Sequence, residues 1–139
     1  MSQKRILFID EERWSIEPII DRINSEFGDT VDYIEDGSSG LSLLLQKGDQ
    51  YQCVILDIMF PLGADLDDGE EDRSVRAGLI LLHLIRRIHR IKVPIICFTI
   101  RDDDEVKTTI EKFSNATHIC KVNMRAMDLL MIQLRKYIR

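Results

Sequence analysis

The sequence predicts an α/β domain in which a parallel β-sheet is covered by helices on both faces. Three observations carry this reading. Five short apolar runs rich in β-forming residues recur along the chain, and the stretches between them switch to helical period. The third is size: 139 residues at 45% hydrophobic content suffice for one buried core.

The elements follow in order. Ile6-Leu7-Phe8-Ile9 is the first strand and ends at Asp10. Ile16, Ile19, Ile20, Ile23 and Phe27 share one face of a helix opened by Ser15, with Pro18 tolerated in its first turn. Val31-Asp32-Tyr33-Ile34 alternates as an edge strand does. Ser39 to Gln46 places Leu41, Leu44 and Leu45 at helical spacing, and Gly48 stops the helix. Cys53-Val54-Ile55-Leu56 ends at Asp57, and a Leu- and Ile-rich helix is expected over 77–91. Pro94-Ile95-Ile96-Cys97-Phe98 ends at Thr99. Val106, Ile110 and Phe113 mark a helix over 103–113, and His118-Ile119-Cys120 ends at Lys121. A last helix, capped at Asn123, aligns Met127, Leu130, Met131, Leu134 and Ile138. Continuous apolar strands suit burial on both faces, and strand–helix alternation implies right-handed parallel crossovers.

Composition narrows the function classes. Apolar stretches such as Leu79-Ile80-Leu81-Leu82 are far shorter than the roughly 18 residues that span a bilayer. Met1 to Arg5 runs directly into the first strand and has no signal-peptide pattern. Cys53, Cys97 and Cys120 each sit in an apolar run and read as small buried residues of a reducing cytoplasm. Net charge is −5, yet residues 65–72 alone hold six carboxylates, so the rest of the chain is nearly neutral. That is a poor footprint for nucleic acid. Arg86, Arg87, Arg90 and Lys92 read as a solvated helix face, His83 and His89 as surface positions, and Trp14 as a packed residue.

Ligands of parallel sheets bind beyond the carboxyl ends of the strands, where the strand order reverses. The strand ends carry Asp10-Glu11-Glu12, Asp57, Thr99 and Lys121. Carboxylates at Asp10, Glu11 and Asp57 crowded into one crevice call for a hard divalent cation, Mg²⁺ or Mn²⁺. The hydroxyl of Thr99 and the ammonium of Lys121 make the opposite side a trap for negative oxygens. Asp57, ending the most apolar interior strand, is the expected nucleophile, forming an aspartyl phosphate.

The ordered set of segments resembles the receiver domain of two-component response regulators: Ile6 to Glu12, Val54 to Pro61, Ile95 to Thr99 and Ile119 to Lys121. The resemblance spans essentially the whole chain. It implies a flavodoxin-like (βα)5 three-layer sandwich with a five-stranded parallel sheet, order 2-1-3-4-5. By it, 1–139 is a single receiver domain. Asp57 is the phospho-acceptor, and Asp10, Glu11, Asp57 and the backbone carbonyl of Met59 hold the metal. Thr99 follows the phosphoryl group, Lys121 pairs with its oxygens, and Thr99 and His118 form the switch.

Departures from that pattern sit at four places. Val122 follows the lysine where the family has proline, which predicts a trans Lys121–Val122 bond. Ile100 replaces a small residue beside Asp57 and narrows access to it. His118 takes the place of the switch aromatic and brings a pH-dependent side chain. An extended acidic loop at about 62–77 separates the third strand from Gly78, expected to open the third helix. Asp65, Asp67, Asp68 and Gly69 miss the calcium-loop spacing.

The function expected is a stand-alone cytoplasmic receiver that takes its phosphoryl group from a sensor histidine kinase or phosphotransfer protein. It then switches a surface for a downstream protein target, with no direct nucleic-acid contact, no membrane contact, and homodimerisation left open. The alternative is a receiver-like interaction module that is not phosphorylated. An enzyme in its own right is disfavoured. No glycine-rich loop follows the first strand, and Met59 stands where an Asp-nucleophile phosphohydrolase carries its second Asp.

Overall fold

The apolar runs pair side by side in the computed structural model, which describes residues 4–58, 73–100 and 104–138. The strands are β1 (Arg5–Ile9), β2 (Val31–Ile34), β3 (Tyr51–Leu56), β4 (Ile95–Thr99) and β5 (Ala116–Cys120). All pairings are parallel and the order is β2-β1-β3-β4-β5. The helices are α1 (Arg13–Phe27), α2 (Gly37–Lys47), α3 (Arg73–His83), α4 (Asp104–Glu111) and α5 (Ala126–Tyr137). The flavodoxin-like fold expected from the sequence is the fold observed. The order reverses between β1 and β3, which places the crevice at Asp10 and Asp57.

Alternation of side chains divides the core in two. Leu7, Ile9, Val54, Leu56, Ile95 and Cys97 join Leu81, Ile85, Val106 and Ile110 on the face covered by α2, α3 and α4. Ile6, Phe8, Cys53, Ile55, Ile96 and Phe98 join Ile16, Ile23, Leu130 and Leu134 under α1 and α5. The three inner strands are buried almost throughout, while β2 is half-buried along its length, as an edge strand should be. At the amino ends of the strands Arg5 grips Asp32 through two hydrogen bonds, 2.9 and 2.6 Å, and the Tyr51 hydroxyl donates to the same carboxylate at 2.8 Å. One cluster thus ties β1, β2 and β3.

Several boundaries differ from expectation for local reasons. Helix α1 begins at Arg13, not Ser15; the Ser15 hydroxyl donates to the Glu12 carbonyl at 2.8 Å instead of capping the helix. Pro18 therefore lies in the second turn. The N–H that Pro18 lacks would have bonded the carbonyl of Trp14, a residue 78% exposed, where water is at hand. Trp14 is thus a surface residue, not a packed one. Asp36 caps α2, accepting from the Ser39 amide at 2.8 Å and from both serine hydroxyls, which starts the helix at Gly37. Gly48 keeps a right-handed conformation and leads into a 3₁₀ turn, Gly48–Gln50. Asn123 accepts the Arg125 amide at 2.8 Å in a turn ahead of α5 and is not its cap.

Helix α3 starts at Arg73, so residues 73–77 of the expected loop are helical and Gly78 lies inside the helix. A Cβ at Gly78 would overlap the backbone of Ile58, and the Gly78 amide donates to the Ile58 carbonyl at 3.1 Å. Glycine here lets the helix close onto the chain beside Asp57. The acidic run 65–72 lies outside the described residues.

The basic cluster is the largest correction. Helix α3 widens into a π turn, Leu84–Ile88, closed by the Ile91 amide on the Ile85 carbonyl at 2.9 Å with Arg90 at φ +54°. Arg86, on this turn, is only 9% exposed. Its guanidinium donates to the carbonyls of Ser114 at 2.7 Å, Val93 at 2.9 Å, Asn115 at 3.1 Å, and Ile91. Arg87 stacks over the Phe113 ring, 4.5 Å from its centroid. The two arginines clamp the end of α3 to the α4–β5 corner. Cys53 and Cys97 are buried as expected, whereas Cys120 is half-buried.

Candidate functional site at the carboxyl ends of the strands

Strand register sets the site. Ile9 of β1 pairs with Leu56 of β3, so Asp10 and Asp57 are the next residues on adjacent strands, and the Asp57 amide donates to the Ile9 carbonyl at 3.0 Å. Continuing the alternation, both side chains fall on the α1/α5 face. Lys121 does the same two residues beyond Ile119, and its amide extends the ladder to the Thr99 carbonyl at 2.8 Å.

Three strand ends therefore meet at one ammonium. Lys121 Nζ lies 2.5 Å from Asp10 Oδ2 and 3.0 Å from Asp57 Oδ2. Asp10 is fully buried and Asp57 is 7% exposed. The Lys121–Val122 bond is trans, as expected without proline, and the lysine still reaches both carboxylates. Its ammonium also lies over the Phe98 ring, with Nζ 5.8 Å from the centroid.

The electrostatics follow from burial and crowding. Burial pushes the Asp10 carboxyl above the ordinary carboxylate range; hydrogen bonds from Lys121 and from the Glu12 amide, 2.9 Å from Oδ1, oppose this without cancelling it. Glu11 is raised by burial and by the neighbouring charges of Glu12, Asp57 and Asp10. Burial alone would lower Lys121, but Asp57 and Asp10 outweigh it and hold the ammonium above its usual value. The crevice carries more negative charge than one lysine neutralises.

That donor set fits a hard divalent cation in kind: two buried carboxylates beside the exposed Glu11, with excess negative charge. Among the described residues no three His, Cys, Asp or Glu side chains are assembled around one cation position. The Lys121 ammonium supplies the positive charge between Asp10 and Asp57, and Glu11 stands in electrostatic range of both. The Met59 carbonyl expected as a further ligand lies outside the described residues.

Thr99 is fully buried at the end of β4. It continues the alternation of Ile95 and Cys97, and so belongs to the α4 face. His118 pairs with Cys97 in register and shares that face. Asp57 and Lys121 also border a cavity of about 340 Å³ between α1 and α5, floored by Ile16, Phe98 and Met127. Ile100, 54% exposed, forms part of its wall and leaves Asp57 open to it.

One contact at the site escaped the sequence reading. The Tyr33 hydroxyl donates to the main-chain carbonyl of Asp10 at 2.5 Å, and Arg13 lies 5.9 Å above the ring centroid. Burial pushes the Tyr33 phenol up to about 12. The signal was the alternation of β2, which turns Tyr33 with Val31 toward α1.

No family model and no curated protein sequence matches the chain. Solved structures do. The beryllofluoride-activated receiver domain of RstA from Klebsiella pneumoniae superposes with a TM-score of 0.71 at 20% identity, over 98% of this chain and 99% of that one. The non-phosphorylated HemR receiver domain of Leptospira biflexa gives 0.73 at 18% identity, over 98% and 94%. A chemotaxis response regulator of Vibrio cholerae gives 0.68 at 18% identity, over 97% and 98%. At such identities the likeness speaks for the fold: this chain is built as receiver domains are.

Proposed function

We propose that the chain is a phospho-accepting receiver in which Asp57 takes a phosphoryl group in a Mg²⁺-dependent step. The observation that carries the proposal is the Lys121 ammonium shared between Asp10 and Asp57 at 2.5 and 3.0 Å. A carboxylate that borders an open cavity and sits beside both a cation and a second acid is placed to attack phosphorus.

In the step, an Asp57 carboxylate oxygen forms a bond to phosphorus while the donor's bond to phosphorus breaks. For a phosphohistidine donor the imidazole nitrogen keeps that electron pair and is protonated; for a small acyl phosphate the leaving group is a carboxylate. Asp10, Glu11 and Asp57 would hold Mg²⁺ or Mn²⁺, whose positive charge neutralises the arriving phosphoryl oxygens. Lys121 exchanges part of its grip on Asp10 and Asp57 for the new oxygens. The product adds about −1.5 to −2 charges to the crevice. Thr99, followed on the same face by His118, would then move toward the phosphoryl group and bias the β4–α4–β5 surface that a protein target reads. A histidine kinase or phosphotransfer protein is the expected donor.

Titrating Mg²⁺ during thermal unfolding tests the reading. A ligand at ten times its Kd stabilises by about 1.4 kcal/mol. Wild type should gain this with Mg²⁺ and more with beryllofluoride added, whereas Asp57→Asn should gain nothing from beryllofluoride. Identical curves for the two proteins would favour an interaction module that is never phosphorylated.

A further inference from the structure

The Asp10–Glu11 corner is fixed on more sides than the chemistry of a strand end requires. The Asp10 amide donates to the Ile34 carbonyl at 3.1 Å, closing the β1–β2 ladder. Oδ1 accepts the Glu12 amide at 2.9 Å. The remaining main-chain group, the Asp10 carbonyl, points past the last ladder rung and would ordinarily be left to water. Here the Tyr33 hydroxyl reaches from the edge strand and takes it at 2.5 Å. Tyr33 is set for this by its place in β2, opposite Phe8 in register, with its ring on the α1 face under Arg13.

The consequence is geometric. The Asp10 carbonyl and the Glu11 amide are two ends of one rigid peptide plane. Holding the carbonyl fixes the plane, and with it the position of the Glu11 Cα from which the side chain leaves the backbone. Only Oδ2 of Asp10 is left facing Lys121 and the crevice.

We propose that Tyr33 is a positioning residue for the divalent-cation site, orienting the Asp10–Glu11 peptide through its hydroxyl. This rests on the reading of Asp10, Glu11 and Asp57 as the cation's carboxylates. Residues that orient metal ligands without touching the metal commonly govern affinity by roughly 10- to 100-fold. Tyr33, half-buried on the edge strand, belongs to the lower end of that range.

The test is calorimetric titration of Mg²⁺ into wild type, Tyr33→Phe and Tyr51→Phe. Tyr33→Phe keeps the ring beneath Arg13 and removes the hydroxyl alone. Tyr51→Phe removes a comparable hydroxyl hydrogen bond, 2.8 Å to Asp32, at the opposite end of the sheet. The expected result is roughly tenfold weaker Mg²⁺ binding by Tyr33→Phe, with Tyr51→Phe at the wild-type value and similar metal-free melting temperatures for both variants. In the metal-free protein the Asp10 carbonyl ¹³C resonance should also shift in Tyr33→Phe and not in Tyr51→Phe. Wild-type affinity in Tyr33→Phe, or an equal loss in Tyr51→Phe, overturns the inference while leaving the function intact. Absence of Mg²⁺ binding by wild type overturns both.

Discussion

Lys121 is the residue on which the charge balance of the crevice depends. Two carboxylates within 3.0 Å of one ammonium are tolerable only while that ammonium stays. Removing one member of a nearly buried ion cluster leaves the others uncompensated, at a cost of about 3 kcal/mol. Lys121→Met should therefore destabilise the metal-free protein by about that amount in urea unfolding. Adding Asp10→Asn should return a large part of the loss, because it removes the unpaired charge and not a packing contact. A single variant within about 0.5 kcal/mol of wild type would mean that solvent screens the cluster. The same reasoning explains why Val122 in place of proline does no harm to this geometry: the ladder bond from the Lys121 amide to Thr99 aims the side chain.

At the scale of elements, two clamps hold the ends of the sheet opposite the site. Arg86 donates to four carbonyls from two segments, Ile91 and Val93 ahead of β4 and Ser114 and Asn115 ahead of β5, and the Asn115 carbonyl also accepts the Ile95 amide at 3.0 Å. Arg86→Met keeps the aliphatic stem but takes the guanidinium from the carbonyls of Ile91, Val93 and Ser114, while Asn115 keeps the Ile95 amide, so we expect a loss of about 2–4 kcal/mol. Chemical denaturation measures it, and a loss below about 1 kcal/mol would show that water replaces the guanidinium. The second clamp is Arg5–Asp32–Tyr51. The Arg5 hydrogen bond leads the forces that hold the Asp32 carboxyl below its ordinary value of 3.8. An acid with a lowered folded-state pKa contributes stability above its unfolded value and loses it as pH falls through the folded one. Unfolding free energy should fall as pH drops below about 4, and Asp32→Asn should flatten that fall. A variant with the wild-type slope would place the acid sensitivity elsewhere.

Over the whole molecule, the sequence made legible what depends on pattern. Apolar runs, and alternation in β2, located the five strands, and the acidic and ammonium residues at three strand ends located the crevice, because alternation carries Asp10, Asp57 and Lys121 to one face. What stayed hidden depends on three-dimensional partners. Nothing local distinguishes Arg86 from Arg87; only the carbonyls of Val93, Ser114 and Asn115, brought near by the fold, bury one of them. Gly78 looked like a helix start and is a helix interior, since its meaning lies in the approach to Ile58. Trp14 looked like core and is exposed, as α1 starts two residues earlier than its serine suggested. Tyr33 was visible as a strand residue and silent as a contact of Asp10.

If Asp57 is the phospho-acceptor proposed, a small acyl phosphate should label that carboxylate. Intact-mass spectrometry after incubation with acetyl phosphate and Mg²⁺ tests it most directly, on wild type beside Asp57→Asn. Wild type should gain one phosphoryl group, lost when Mg²⁺ is chelated beforehand and absent from Asp57→Asn; an unmodified wild-type mass, or equal labelling of both proteins, would rule out Asp57 as the acceptor.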